Sequence, residues 1–193
     1  MKEEFEKLWG RPVPVELRQL IEFQEEESDF ECYSQGFGVE TCGRSGLENG
    51  WSDNPDFLAK LYPFAQANGS GSIYAIWDDG SGYPLGDMPV VVFGDEGGEW
   101  VVARYFSEFL QLLTFDTEIM ALPDSAYFWK DEDEDDDYQS DDAQRYRDWF
   151  CEHYDYLSPV DTNEEAQEII DIAQQEHQQD FNNWLGSFEI GEA

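Results

Sequence analysis

The chain has 193 residues, of which 45 are acidic and 10 basic, giving a formal charge of −35 at neutral pH. A hydrophobic fraction of 40% and an aromatic fraction of 16% are globular values, so the chain can bury enough apolar surface to fold as one domain, and a wholly disordered acidic tail is excluded. So large a negative field disfavours nucleic acid and anionic membranes as direct partners and favours basic ones; a high-salt cytoplasm is an alternative origin of the same acidic, lysine-poor composition.

The opening "MKEEFEKLWGRP" lacks an apolar secretion core, and no later run approaches the roughly 18 apolar residues of a membrane span. A soluble, cytoplasmic protein is expected. The segment "PVELRQLIEF" opens with Pro14, suited to a first helical turn, and places Val15, Leu20, Ile21 and Phe23 near one face. Pro55 repeats the device in "NPDFLAKLYPFAQANGSGS", which predicts a helix broken at Pro63 and a loop at Gly69 and Gly71. Apolar runs predict strands over 72–78, 89–94 and 99–104, the last two joined across the turn "GDEGG", and all three neighbours in an antiparallel sheet. Ser107 is placed to cap a covering helix carrying Phe109, Leu110 and Leu113.

Beyond about residue 115 the pattern changes. "TFDTEIMALPDSAYFWK" predicts one more strand or an extended edge; then comes an acidic segment, then a helix with Tyr146, Trp149, Phe150 and Tyr154 on one face. The last helix is the clearest in the chain. Thr162 and Glu165 form a capping box, Ala166, Ile169, Ile170, Ala173, His177 and Phe181 recur at helical spacing, and Gly186 stands where the helix should stop.

The ordered set "LWGRPVPVEL", "LYPFAQANGSGSIYAIW" and "PVVVFGDEGGEWVVARYFSEFLQLL" resembles the SUKH superfamily, the fold shared by fungal cell-wall regulators and many bacterial immunity proteins. The matching features are Gly10, Pro12 and Pro14 before the first helix, Ala65 and the turn Gly69 to Gly71 leading into Ile73 and Tyr74, and the passage Val101, Ala103, Phe106, Phe109, Leu110. Together they cover residues 8 to 113. Ser72 departs from the acidic residue often found after the second glycine, and residues beyond about 120 have no counterpart. The resemblance implies a single α+β domain with a mixed or mainly antiparallel sheet of about five to six strands packed by helices. It also implies inhibition of a toxin by direct binding, and it carries over no catalytic residue.

Side-chain chemistry points the same way. His153 and His177 are the only histidines; adjacent helical positions make Cys151 and His153 poor co-ligands, and His177 reads as a core histidine. Cys32, Cys42 and Cys151 form no C-x-x-C pair and read as buried free thiols. No G-x-S-x-G, P-loop or H-E-x-x-H pattern is present. The glycines at 69–71 and 80–82 precede no Lys-bearing helix that could cradle phosphate, and carboxylate pairs are too common to mark a glycosidase dyad. Neither a catalytic site, a metal site nor a cofactor is expected.

The stretch "DEDEDDDYQSDD" holds Asp131, Glu132, Asp133, Glu134, Asp135, Asp136, Asp137, Asp141 and Asp142 within residues 131–142. A calcium loop would place oxygens at its positions 1, 3, 5 and 12 and glycine at 6. Asp131, Asp133, Asp135 and Asp142 satisfy the first requirement, but Asp136 occupies the glycine position and the usual terminal Glu is missing. Two readings remain: a solvated spacer, and a docking surface for a basic protein, with Tyr127, Phe128, Trp129 and Tyr138 as nearby anchors or as packing under the C-terminal helices. The expected organisation is a SUKH-like core over 1–120 and an acidic loop with C-terminal helices over 121–193. The expected function is a non-enzymatic immunity protein, monomer or weak homodimer, that occludes a basic, nucleic-acid-targeting toxin through the nine carboxylates with Trp129 and Tyr138. A regulatory scaffold of the SUKH type and a DNA-mimic inhibitor of a nucleic-acid enzyme are the alternatives.

Overall fold

The computed structural model describes residues 1–41, 43–131 and 139–188. Five strands, β1 (Gly38–Val39), β2 (Leu61–Gln66), β3 (Ile73–Trp77), β4 (Val90–Phe93) and β5 (Glu99–Ala103), form one sheet in that spatial order with every pair antiparallel. A separate ribbon pairs β6 (Ile119–Leu122) with β7 (Ser125–Phe128). The helices are α1 (Lys2–Trp9), α2 (Val15–Glu26), α3 (Gly43–Gly50), α4 (Pro55–Leu58), α5 (Phe106–Leu113), α6 (Ala143–His153) and α7 (Asn163–Leu185). The chain is thus a single α+β domain, and the strands expected at 72–78, 89–94 and 99–104 are the adjacent β3, β4 and β5. Among the described residues, no helix is long and apolar enough to cross a membrane.

Strand alternation sends side chains to two cores. Tyr74, Ile76, Val90, Val92 and Val102 meet Leu20 and Phe23 of α2, Phe106 and Phe109 of α5, and Tyr146 and Phe150 of α6. Ile73, Ala75, Trp77, Val91, Phe93 and Val101 meet Leu47 of α3, Phe57 of α4, and Phe181 and Leu185 of α7. Both faces of the sheet are covered, which is why β3 and β4 read as continuous apolar runs. Each fully buried Val, Leu, Ile or Phe side chain contributes about 1.5–3 kcal/mol. The 23-residue α7, about 34 Å long, gives Ala166 and Ile170 to the first core and Ala173, Phe181 and Leu185 to the second. It therefore runs alongside β5 and ties the two cores together.

A glutamine amide closes each edge of the sheet. At the β1 edge, Gln24 Oε1 accepts from the Val39 N–H (2.8 Å) and from the Tyr33 hydroxyl (2.8 Å), while its Nε2 donates to the Val39 carbonyl (3.1 Å). At the β5 edge, Gln178 Oε1 accepts from the Val101 N–H (2.8 Å) and its Nε2 donates to the Glu99 carbonyl (3.0 Å). Each side chain makes the two-point contact that a further strand would make.

Several local expectations are corrected. Helix α4 ends at Leu58, and residues 61–66 form β2 rather than a helix broken at Pro63; the proline sits where the pairing register shifts, a position that needs no ladder N–H. Strand β1, too short to show a period, was not expected. Val15 is 52% exposed while Leu20, Ile21 and Phe23 are buried. Helix α5 begins one residue before Ser107, which accepts from the Tyr156 hydroxyl (3.2 Å) and does not cap it. Glu108 instead accepts from the Arg104 N–H (2.7 Å) and pairs with its guanidinium (2.5 Å), a contact that raises the Arg104 pKa. Cys32 is half-buried and Cys151 exposed, so neither is a core thiol; Cys42 lies outside the described residues. Desolvation, reinforced by Asp29, Asp142, Asp141 and Glu31, pushes the Cys32 thiol up. His177 is half-buried beside Glu176 (3.9 Å) in the wall of an open cleft rather than in the core. The capping box of Thr162 and Glu165 forms as expected, and α7 stops before Gly186.

Candidate partner-binding surface

The β6–β7 ribbon turns at Pro123–Asp124 and sorts its residues by face. Ile119, Ala121, Ala126 and Phe128 are buried against the body, whereas Met120, at 42%, stays exposed and its cross-strand partner Tyr127 is half-buried. Phe128 is therefore packing. Trp129 follows directly and is 65% exposed. Met120, Tyr127 and Trp129 line a cleft of about 460 Å³ together with Gln35, Thr117 and Glu118.

The ribbon lies close to the β4–β5 turn, where Gly97 and Gly98 have φ of 92° and 97°. A Cβ on Gly98 would come within 2.1 Å of the Leu122 carbonyl oxygen, so only glycine permits both the conformation and the approach. The Trp100 indole donates to the same carbonyl (2.8 Å). Hairpin β4–β5 thus fixes the ribbon that bears Trp129.

The acidic segment starts and ends on fixed residues. Before it, the Lys130 N–H donates to Asn163 Oδ1 (2.8 Å), Asn163 Nδ2 donates to the Lys130 carbonyl (2.8 Å), and Lys130 Nζ donates to the Phe115 carbonyl (2.9 Å). Near its end, the Ser140 N–H and Oγ donate to Asp116 (2.8 and 2.6 Å), which also accepts from the Gln35 N–H (3.0 Å). Asp116 is 3% exposed with φ 53°, so these donors compensate a buried carboxylate.

The predicted site residues fall into three groups. Trp129, Asp131 and Asp141 are exposed. Asp142 is half-buried and committed inward: Oδ2 accepts from Ser28 Oγ (2.8 Å), Oδ1 pairs with Arg145 (2.9 Å), and its N–H donates to the Cys32 carbonyl (2.8 Å). Glu132, Asp133, Glu134, Asp135, Asp136, Asp137 and Tyr138 lie outside the described residues. Most of the calcium-loop frame falls there too, and its twelfth position is the inward-bound Asp142. Among the described residues no group of three or more His, Cys, Asp or Glu could hold a metal ion.

His153 Nδ1 lies 2.8 Å from the Trp149 carbonyl and its ring packs on Trp149, while Cys151 faces outward. A second polar cluster joins the turn at 68–72 to the β4–β5 turn. Ser72 Oγ and Ser70 Oγ donate to Asp95 Oδ1 (2.6 and 2.8 Å), and Asn68 Nδ2 donates to Ser72 (3.0 Å). Burial opposes ionisation of Asp95, but these hydrogen bonds and its own backbone N–H outweigh it and lower its pKa.

Sequence reasoning did not single out Gln35, Thr117, Glu118 or Met120. The signal for Met120 was the apolar run 119–122 ahead of "LPDS", a two-residue turn that would have paired Met120 with Tyr127. Comparison with protein-family models, curated proteins and solved structures gave no match to this chain.

Proposed function

We propose that the protein is a non-catalytic immunity protein of the SUKH type, acting in the cytoplasm, that binds a basic toxin domain and neutralises it by occlusion. The observation that carries this reading is the face of exposed Met120 and Trp129 with half-buried Tyr127, which is followed in the chain by nine carboxylates within a total charge of −35. Apolar anchors hold a partner once it arrives, while like-signed charge steers a basic surface toward them. Toxins that grip nucleic acid are basic where they contact phosphate, and a polyanionic inhibitor matches that surface. The ordered glycine, proline and apolar motifs of residues 8 to 113 add the family resemblance.

The test is to look for a toxin domain encoded beside this protein and to measure surface-plasmon kinetics against it. Raising salt from about 50 to 500 mM shortens the Debye length from roughly 14 to 4 Å and should slow association tenfold or more. Replacing Asp133, Asp135, Asp136 and Asp137 together with Asn should act in the same direction, with circular dichroism unchanged. Association indifferent to both would refute the docking role, as would a neighbouring toxin that this protein leaves fully active.

A further inference from the structure

We infer that the cleft beside Trp129 is a socket for one arginine side chain of a protein partner, an inference that rests on the binding reading above and names what the surface grips. The cleft offers three kinds of wall. Trp129 and Tyr127 supply aromatic rings, Met120 supplies a polarisable apolar surface, and Glu118 supplies a carboxylate; among the described residues Gln35 and Thr117 also line it and no basic residue contributes.

Glu118 is held in place from outside the cleft. Its Oε1 accepts from the Gly69 N–H (3.2 Å), and the side chain passes over Gly36, where a Cβ would lie 2.2 Å from Oε1. Gly36, at φ 65°, is therefore both a turn residue and the open floor that lets the carboxylate lie across it. A carboxylate can accept roughly four hydrogen bonds, so one backbone donor fixes its direction and leaves capacity for a ligand.

This set of groups matches a guanidinium better than the alternatives. The planar cation can lie over an aromatic face while its edge N–H groups point at a carboxylate, and its methylene stem can lie along Met120. A lysine ammonium is compact and strongly hydrated and uses the flat walls poorly. An acidic side chain meets Glu118 and the field of the adjacent segment, and a purely aliphatic one leaves the carboxylate desolvated without a partner. The cleft is open to solvent, which suits a side chain presented on a folded surface more than a free small molecule that must be enclosed.

The experiment uses the full chain, labelled with ¹⁵N and with ¹³C at the methionine methyls, at 150 mM salt. The indole signal of Trp129 is identified by its loss in Trp129→Phe. Seven-residue Gly/Ser peptides carrying one central arginine, lysine or citrulline are titrated separately, with free arginine amide as a fourth arm. The arginine peptide should move the Trp129 indole and the Met120 methyl signals saturably, the lysine peptide more weakly, and neutral citrulline not at all. Glu118→Gln, which keeps the acceptor for Gly69, should weaken the arginine response roughly tenfold. Equal responses to citrulline and arginine, or arginine shifts that avoid Trp129 and Met120, would overturn the socket. So would free arginine amide binding as tightly as the peptide, because the partner would then be a metabolite. The two proposals fail separately. An arginine response at Trp129 in a protein that holds no basic toxin leaves the socket and removes the immunity reading. A salt-dependent toxin complex whose dissociation ignores both Glu118→Gln and Trp129→Ala removes the socket and leaves that reading.

Discussion

Hairpins β4–β5 and β6–β7 are both built from short, largely apolar strands and end in different surroundings. Val90–Phe93 and Val101–Ala103 are buried on both faces, because α5 and α6 cover one side of the sheet and α3, α4 and α7 the other. In the ribbon only Ile119, Ala121, Ala126 and Phe128 find cover, and Met120 and Trp129 face water. The difference separates two placements of the same chemistry: apolar residues of β4–β5 hold the fold, whereas among the described residues Met120 and Trp129 of the ribbon's outer face are left exposed.

The largest effect should come from exchanging one residue in each hairpin. Phe93 is fully buried against Trp51, Phe57 and Phe181, so Phe93→Ala should cost about 3–5 kcal/mol in urea unfolding. Trp129→Ala should stay within about 0.5 kcal/mol. A Trp129 variant as destabilised as the Phe93 variant would make the ribbon's outer face part of the core and break the contrast.

A medium effect is expected at the edges of the sheet. Gln24 is 6% exposed and satisfies the N–H and carbonyl of Val39 and the Tyr33 hydroxyl. Gln24→Leu should cost about 2–3 kcal/mol, because groups left unpaired there stay buried. Gln178 is only half-buried, so water can replace it, and Gln178→Leu should cost about 1 kcal/mol. Equal losses would show that both edges are equally shielded from solvent.

The smallest effect concerns Asp95, on the turn that supports the ribbon. Its folded pKa is lowered, so its contribution is present above the unfolded carboxylate range, near 3.9, and is lost as pH falls through the folded value. The stability difference between the natural chain and Asp95→Asn, followed by thermal melts, should be constant from about pH 7 to 5 and shrink as the pH falls through the lowered pKa of the folded state. A difference that grows on acidification would contradict the hydrogen-bonded carboxylate.

Much of this architecture can be read from local patterns, and the failures have local causes. The meander β3–β4–β5 follows from β-branched runs punctuated by "GDEGG", and α7 from its capping box and apolar stripe. Strand β2 was hidden because Pro63 signals a break, and only its place at a register shift makes the proline compatible with pairing. Helix α5 looked capped by Ser107 because the reach of Glu108 back to the Arg104 N–H cannot be seen in spacing. At the candidate surface, Trp129 and the carboxylates were conspicuous in composition. Glu118 was not, since its role depends on Gly36 and Gly69, which lie 82 and 49 positions earlier in the chain.

The two glutamine clasps also differ in time. Gln24 precedes Val39 by 15 residues, so on a growing chain the β1 edge meets a clasp that has already been made. Gln178 follows Val101 by 77 residues, which at ribosomal speed is roughly 4–15 s of synthesis. Throughout that interval β5 presents an unclosed edge, the kind of template on which neighbouring nascent chains pair. The carboxylates of 131–142 are made within the same interval, so each emerging chain acquires a dense like charge before its edge is sealed. The repulsion that offers a folded protein nothing in stability can thus keep unfinished copies apart on a polysome.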